Sequence, residues 1–529
     1  MNLLTKNIRT SSIINSYTIQ AQVWSIDPRS GNLRLKRHAR CFRKSVRANN
    51  PSRKREREIR EMKYEADYLV IGSGATGMAF VDTLLDETDA TVIMVDDRAV
   101  PGGHWNEAYP YVRLHQPAST YGVNSKDLGA RRIDSKGTNA GFEELSSGVE
   151  ITRYYHALME DKFVPSGRVI FLPLTRYTEK GEVISRLTGE THDIKVLKKT
   201  VFANYVTTDI PALSERKFAV SEDVTCITPN DLPHHAPNHQ KYCVIGAGKT
   251  GTDSVNWLLE RGVAPDRISW VISRDAWFLN RKSFQVEERF YDSTIGGQSK
   301  SIEIYATSKS VREIEERMEA EKLWMRIDPN IWPSMFHAAI VSEREIEQLR
   351  TVKNIIRKGR VSKITAEAME MTDGIVSMDP DTLYIDCTTS GLGKYIGVRN
   401  PVFQPGEIHL QVVRQFQPCF SAAILGFIEA HIPEDEKNNY ARPTPATDVV
   451  TDALLVFADA LQNTFMWTQN AELSAWRNRS RLDKYSQLAA SADKNDPKVI
   501  EIMTRVMTHA FPAVENLQRL ATDQSVAAE

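Results

Sequence analysis

The chain has 529 residues, enough at roughly 150 residues per domain for several structural units, so a single small domain is excluded. Lysine and arginine (67) nearly balance aspartate and glutamate (68), a net charge of -1, which excludes a strongly basic nucleic-acid binder and an acidic solvating chain. Hydrophobic residues at 41% fit a soluble globular protein, and no apolar run reaches the roughly 20 residues that a bilayer span needs, so no transmembrane segment is expected.

The balance hides an uneven distribution. Residues 1–62 carry 15 Lys/Arg against 4 Asp/Glu, a net of +11, which leaves 52 basic and 64 acidic residues, a net of -12, for 63–529. The first 62 residues lack sustained apolar periodicity and end in Arg53-Lys54-Arg55-Glu56-Arg57-Glu58, the composition of a disordered basic leader. Three origins stay open for it: a flexible or over-long start, a mitochondrial-type presequence, and a basic arm for nucleic acid. The last is disfavoured because no aromatic platform accompanies the charge. The expected location is cytoplasmic, with the mitochondrion as the alternative. Five cysteines, Cys41, Cys226, Cys243, Cys387 and Cys419, lie far apart without C-x-x-C or metal-ligand spacing. That pattern points to a reducing compartment, no metal site and no redox-active disulfide.

The first predicted element is a buried parallel strand, Asp67-Tyr68-Leu69-Val70-Ile71, which runs into Gly72-Ser73-Gly74-Ala75-Thr76-Gly77. Helical spacing follows from Met78, and a second buried strand, Thr91-Val92-Ile93-Met94-Val95, is closed by Asp96. Gly72 permits the tight turn, Gly74 lets backbone approach a pyrophosphate, and Gly77 lets the helix sit close to the strand. The helix N-terminus faces the phosphates with free N–H groups, and Asp96 accepts from a ribose hydroxyl. The order of strand, glycine turn, helix, strand and acid makes this a dinucleotide site, read as FAD.

A second copy begins at Lys241-Tyr242-Cys243-Val244-Ile245 and turns through Gly246-Ala247-Gly248-Lys249-Thr250-Gly251 into a helix over 252–260. A P-loop is excluded, because its first glycine would stand at Cys243. The next strand, Arg267-Ile268-Ser269-Trp270-Val271-Ile272, ends in Ser273-Arg274 instead of an acid, which suits a 2′-phosphate and reads as NADPH. Asp275 beside it argues the other way. Lys249, first on the new helix, is placed to meet a phosphate, Arg281 to help Arg274 grip the 2′-phosphate, and Trp277 to stack on adenine, with plain surface packing as the rival reading.

Two dinucleotide folds in one chain form the layout in which hydride passes from a nicotinamide to a flavin. After the Asp96 strand, Val100-Pro101-Gly102-Gly103-His104-Trp105 resembles the Gly-Gly-x-Trp segment of the class B flavoprotein monooxygenases, the flavin-containing and Baeyer–Villiger group. The resemblance extends to Ala203-Asn204-Tyr205-Val206-Thr207-Thr208-Asp209-Ile210-Pro211 and to Leu383-Tyr384-Ile385-Asp386-Cys387-Thr388-Thr389-Ser390-Gly391, where the chain returns from the NADPH domain. It implies that Gly102 and Gly103 run beside the isoalloxazine ring and that Trp105 shields it, with core packing as the rival for Trp105. His104 in the same loop is placed for a contact in that pocket or for a turn-stabilising hydrogen bond, and Arg113 for the flavin phosphate, a reduced-flavin anion or a structural salt bridge. Tyr109, His115 and Gln116 are expected to approach that pocket too. Gly426, within Gln417-Pro418-Cys419-Phe420-Ser421-Ala422-Ala423-Ile424-Leu425-Gly426-Phe427, is expected to permit close approach to the flavin pyrimidine. The group's Phe-x-Gly-x-x-x-His linker is not found in 225–240, which holds Asp231-Leu232-Pro233-His234-His235-Ala236-Pro237-Asn238-His239, so neither named branch is assigned.

The resulting fold class is α/β: two Rossmann-like dinucleotide-binding domains, an FAD domain with an inserted NADPH domain, plus a helical insertion and a helical C-terminal region. The boundaries are 1–62 for the leader, 63–235 for the first part of the FAD domain, 236–385 for the NAD(P) domain with a helical insertion at 302–349, and 386–529 for the return and the C-terminal helices. Runs at 448–462 and 497–511 have helical spacing. The expected function is an FAD- and NADPH-dependent oxidoreductase, a monooxygenase taking O₂ and a small-molecule substrate. Alternatives are a flavin-dependent dehydrogenase or reductase, and a non-catalytic redox or nucleotide sensor. Nucleic acid is not an expected partner, and a homo-oligomer is left open.

Overall fold

The computed structural model describes residues 24–26, 33–35 and 63–528, and the chain divides into two units, Met1–Arg60 and Glu61–Glu529. In the first unit the strands Trp24–Ile26 and Leu33–Leu35 pair antiparallel, with Trp24 opposite Leu35. The expectations for the rest of 1–62 fall outside the described residues.

The second unit is built on two parallel sheets. Lys63–Ile71 is central to the first, flanked by Val92–Val95 and then Val169–Leu172 on one side and by Thr191–Phe202 on the other, all parallel. Its last four residues are buried, as expected of a strand covered on both faces. Register sets Ile71 level with both Val95 and Phe202, so three strand ends meet where the glycine turn begins. Glu407–His409 joins Thr191–Phe202 in parallel, which brings the chain back to the first sheet after the second domain.

The second sheet has the order Cys226–Ile227, Thr382–Asp386, Lys241–Ile245, Ile268–Val271, Asn354–Ile356, again all parallel. In both sheets the glycine-bearing strand is the one at which strand order reverses, and the cleft at that switch point is where open α/β sheets take ligands. Cys226–Ile227 pairs with Thr382–Asp386, and Ala219–Val220 pairs with Val361–Ile364, so both segments sit with the second half of the unit although they precede residue 236.

The 302–349 stretch contains the expected helix Val311–Ala320 and ends in Glu343–Leu349, but it also holds two strands. Trp324–Met325 and Met335–Val341 flank Ala276–Asn280, antiparallel and parallel respectively. Residues 335–341, Met-Phe-His-Ala-Ala-Ile-Val, are apolar enough to be buried in either form, and the open edges of Ala276–Asn280 select the strand. The C-terminal region is helical, with Val450–Gln469 and Pro497–Ala528 longer than the spacing alone predicts. Pro512 lies inside the latter without ending it. Among the described residues no helix is long and apolar enough to cross a membrane.

Candidate functional site

At the first turn Gly72 takes φ +106°, a left-handed conformation that favours glycine, and Gly74 caps Ala75–Glu87 without any side chain on the first-turn N–H groups. A Cβ on Gly77 would lie 2.2 Å from the Gly72 carbonyl oxygen and 3.0 Å from Ala203 Cβ, so only glycine lets this helix meet the strand. Asp96 stands at the end of the second strand and is buried. One carboxylate oxygen accepts from Ser73 N at 2.7 Å and Ser73 Oγ at 2.8 Å, and the other from Arg98 N at 2.9 Å. Each oxygen has more than one lone-pair direction, so the carboxylate holds the glycine turn in place and keeps capacity for a ribose hydroxyl.

Gly103 packs directly on this turn: a Cβ there would stand 2.9 Å from Gly74 Cα, and Gly102 N donates to Ser73 O at 2.9 Å. The chain then makes a short turn, Gly103–Asn106, that presents His104 and Trp105. Their rings stack at 5.1 Å, and Trp105 Nε1 donates to Tyr121 OH at 2.8 Å. Burial, reinforced by the Arg98 cation, pushes the His104 pKa down to about 4, so its imidazole is neutral at physiological pH.

The residues that follow do not stay at that turn. Arg113 is exposed, donates to Leu145 O at 3.0 Å and faces Glu260, contacts of the kind its structural alternative expects. Tyr109 OH donates to Asp253 at 2.7 Å, Tyr111 OH shares a hydrogen bond with Ser254 Oγ at 2.8 Å, and the Tyr111 ring packs on Trp257 at 5.3 Å. His115 Nδ1 accepts from Ile340 N at 3.2 Å. The loop from Gly102 to His115 therefore begins on the first glycine turn and ends against the second domain. Gln116 alone of this group turns elsewhere, donating to Phe416 O at 2.9 Å.

At the second turn a Cβ on Gly246 would come within 2.6 Å of Cys387 O, and one on Gly251 within 2.0 Å of Gly246 O. Gly248 has nothing within 4 Å in its Cβ direction, leaving open the approach a pyrophosphate would use. Lys249 opens the helix Lys249–Glu260 and pairs with Asp253, whose other oxygen holds Tyr109. Arg274 sits at the strand end as expected, half-buried, with Nη1 on Asp448 at 2.9 and 3.0 Å and Nη2 on Ser334 O at 2.8 Å. Asp275 is neutralised by Arg357 at 2.8 and 3.0 Å.

Three further expectations are corrected. Trp277 is fully buried, with Nε1 on Glu315 at 3.1 Å and its ring against Trp324 and Trp332, so it cannot stack on adenine. Arg281 is 1% exposed and paired with Glu345 at 2.7 Å, which removes it from coenzyme binding. Gly426 lies mid-helix in Pro418–His431, where a Cβ would meet Phe80 O at 3.0 Å and Thr83 Cβ at 3.2 Å. It allows two helices to cross and does not face a ligand. Gln417, the first residue of the segment that holds Gly426, is buried at the start of that helix.

His104 and His115 give a pH prediction. Burial, with Lys249 and Arg281 nearby, pushes His115 down to about 3, against Glu345 acting the other way. Both imidazoles are neutral in the fold, while an unfolded chain protonates them below its ordinary value of 6.5. Their contribution is complete above that pH and is lost as pH falls toward 4, by up to about 1.4 kcal/mol per pH unit per histidine. Urea unfolding at pH 7 and pH 5 should show a smaller loss for His115→Asn than for the wild type. Equal losses would remove His115 as a source.

No family model matches the chain. Among solved structures it is similar to cyclohexanone monooxygenase bound to ε-caprolactone, at 13% identity and TM-score 0.46 over 80% of this chain and 97% of that one. It is similar also to a polycyclic ketone monooxygenase from Thermothelomyces thermophila, at 11% identity and TM-score 0.42 over 90% of both chains. A flavin-containing monooxygenase from Stenotrophomonas maltophilia gives 14% identity and TM-score 0.40 over 69% of this chain and 97% of that one. Much nearer in sequence are Uncharacterized protein Rv2000 of Mycobacterium tuberculosis and Uncharacterized protein Mb2023 of Mycobacterium bovis, each 37% identical over 425 residues. Each match spans 80% of this chain and 78% of the relative, and on that extent of identity the chain belongs to the family of these mycobacterial proteins.

Proposed function

We propose that the protein is an FAD-dependent, NADPH-using oxidoreductase that works as a monooxygenase on a small organic substrate. The observation that carries this reading is the Gly102–His115 loop, which starts in backbone contact with the first glycine turn and, through Tyr109 and Tyr111, meets the helix that follows the second. Two nucleotide sites joined by one loop are the arrangement needed to bring a nicotinamide and a flavin together. Bound there, FAD would supply hydride acceptance from NADPH and activation of O₂, one oxygen atom going to the substrate and the other to water.

The chain's own residues bind, orient and exclude water. Gly72 and Gly74 with the Ala75–Glu87 N-terminus would hold the FAD pyrophosphate, and Asp96 a ribose hydroxyl. Gly248, Lys249 and Gly251 would hold the NADPH pyrophosphate, with Arg274 exchanging Asp448 for the 2′-phosphate. Trp105, fixed through Tyr121, walls the site against water, and neutral His104 can donate or accept one hydrogen bond without placing a cation beside the ring. No side chain is assigned as a nucleophile.

A reductase that inserts no oxygen is the second reading, favoured by the absent linker motif in 225–240. Purified protein should be yellow with bound FAD, oxidise NADPH faster than NADH, and transfer label from ¹⁸O₂ into product across a panel of ketones, amines, sulfides and phenols. NADPH oxidation without label in any product would overturn the oxygenase in favour of the reductase. FAD binding without any turnover would overturn both and leave a sensor.

A further inference from the structure

The last helix, Pro497–Ala528, has two apolar faces, and the fold covers one of them. At 100° per residue Ile502, Ala513, Leu517 and Leu520 fall on one arc, and all four are buried, Ile502 in a cluster with Ile295 and Leu488, the others with Tyr305 and Phe457. About 100° round the helix stands a second set, Ile500, Met503, Met507 and Phe511, whose i, i+3, i+7, i+11 spacing makes a single stripe. These side chains are 50%, 40%, 73% and 71% exposed. Apolar residues on a surface are ordinary when single, but a continuous stripe about 16 Å long marks a face that meets something.

The charges beside the stripe say what it meets. No Asp, Glu, Lys or Arg stands between Arg505 and Glu515, and outside that gap one flank carries Glu501, Arg505, Glu515 and Arg519 in order. The other flank is the helix's own buried arc. Glu501 and Arg519 lie nine residues on either side of Ala510, and Arg505 and Glu515 lie five on either side. Both pairs are opposite in sign. Two copies of the helix laid antiparallel about a two-fold axis at Ala510 bring like flanks together, so that Glu501 meets Arg519 and Arg505 meets Glu515, each pair twice. The same reversal seats Phe511 of one copy between Met507 and Phe511 of the other, where sulfur and ring attract. A parallel pair would instead turn the charged flank of each helix onto the apolar flank of the other and leave the four charges unanswered.

The local ion pairs leave room for these contacts. Glu515 makes no ion pair within the chain among the described residues. Arg519 holds Asp523 at 2.8 Å, and Arg505 holds Glu501 at 2.6 Å and Glu303 at 3.1 Å, but a guanidinium has five N–H donors and can take a further carboxylate.

We propose that Pro497–Ala528 is a self-association surface, on which a second copy of this chain packs antiparallel through the stripe over 500–511. Two such faces together bury roughly 1,000 Å², the lower bound for a specific interface, so the dimer is reversible and depends on concentration. Apolar burial drives it, while the exposed ion pairs add little energy and select the direction. Anionic lipid is the poorer occupant, because residues 63–529 carry a net of -12 and the flank alternates in sign where a lipid-binding helix is basic.

Sedimentation velocity of the full-length protein over a concentration series tests this, at physiological salt so that the like net charge of the two copies is screened. Wild type should pass from monomer to dimer. Met507→Glu should remain a monomer throughout, with an unchanged melting temperature at low concentration because the side chain is exposed in the monomer. Glu501→Arg and Arg519→Glu should each weaken the dimer about tenfold by setting like charges opposite each other at two symmetric positions. An equal mixture of those two variants restores both pairs and should associate as the wild type does. A monomeric wild type would overturn the proposal, as would a dimer that survives Met507→Glu combined with Phe511→Ser. Single charge variants that dimerise like the wild type, or a mixture no tighter than its components, would overturn the antiparallel register. A monomeric wild type that floats with phosphatidylcholine vesicles, and loses this with Met507→Glu, would give the face to a membrane and overturn self-association.

Discussion

Gly251→Ala should abolish measurable NADPH binding and destabilise the protein at the same time. The alanine Cβ would stand 2.0 Å from Gly246 O, a backbone atom of the same turn, where no flexible side chain can yield. Relief requires the Lys249–Glu260 helix to withdraw from its strand, and overpacking of this kind costs about 1–3 kcal/mol. Withdrawal also moves the helix N-terminus off the phosphate position, so NADPH affinity should fall at least a hundredfold, read by coenzyme titration and by the rate of anaerobic flavin reduction. Gly248→Ala is the informative companion. Its Cβ meets nothing within 4 Å, so urea unfolding should match the wild type while coenzyme binding is lost to the methyl group in the phosphate path. Wild-type NADPH affinity in Gly248→Ala would remove the pyrophosphate from this turn.

Arg281→Met should produce the largest loss of stability with no specific coenzyme effect. Arg281 is 1% exposed, pairs with Glu345 at 2.7 Å and donates to His115 O at 3.2 Å. Burial raises the Glu345 pKa, but Arg281 and then Lys249 outweigh it and hold the carboxyl below its usual range. Without the arginine that carboxylate stays buried with Lys249 as its nearby cation, and breaking such a pair costs about 3–5 kcal/mol. Urea unfolding of Arg281→Met should show a loss of that order, and the double variant Arg281→Met/Glu345→Gln should recover part of it. A variant with wild-type stability but weakened preference for NADPH over NADH would return Arg281 to the coenzyme site.

The two glycine turns were legible in the sequence because each rests on constraints within six residues and the elements on either side. Strand, turn and helix are successive in the chain, and Gly77 and Gly251 are demanded by contacts to Gly72 and Gly246 of the same motif. Asp96 was legible for a related reason, since strand alternation and length place it at a strand end whatever else the chain does. The strand Met335–Val341 was not, because an apolar run of that length fits helix or strand and the pairing edge of Ala276–Asn280 lies far upstream.

Side-chain partners divide along the same line. A tryptophan beside an arginine suggests a stacking platform, but Trp277 is buried by Trp324 and Trp332, some 50 positions away. Arg274 has the chemistry for a 2′-phosphate, yet its partner Asp448 is 174 residues distant and no local pattern announces it. Gly426 sits in a run of small residues that fits close approach to a ligand equally well as to a helix, and only its contact with Phe80 and Thr83 selects the helix. Sequence alone determined where the two glycine turns lie, because backbone conformation at a tight turn depends on the residues in that turn. The tertiary structure decided which charged and aromatic side chains remain open to them, because burial and ion pairing depend on residues brought together from distant parts of the chain.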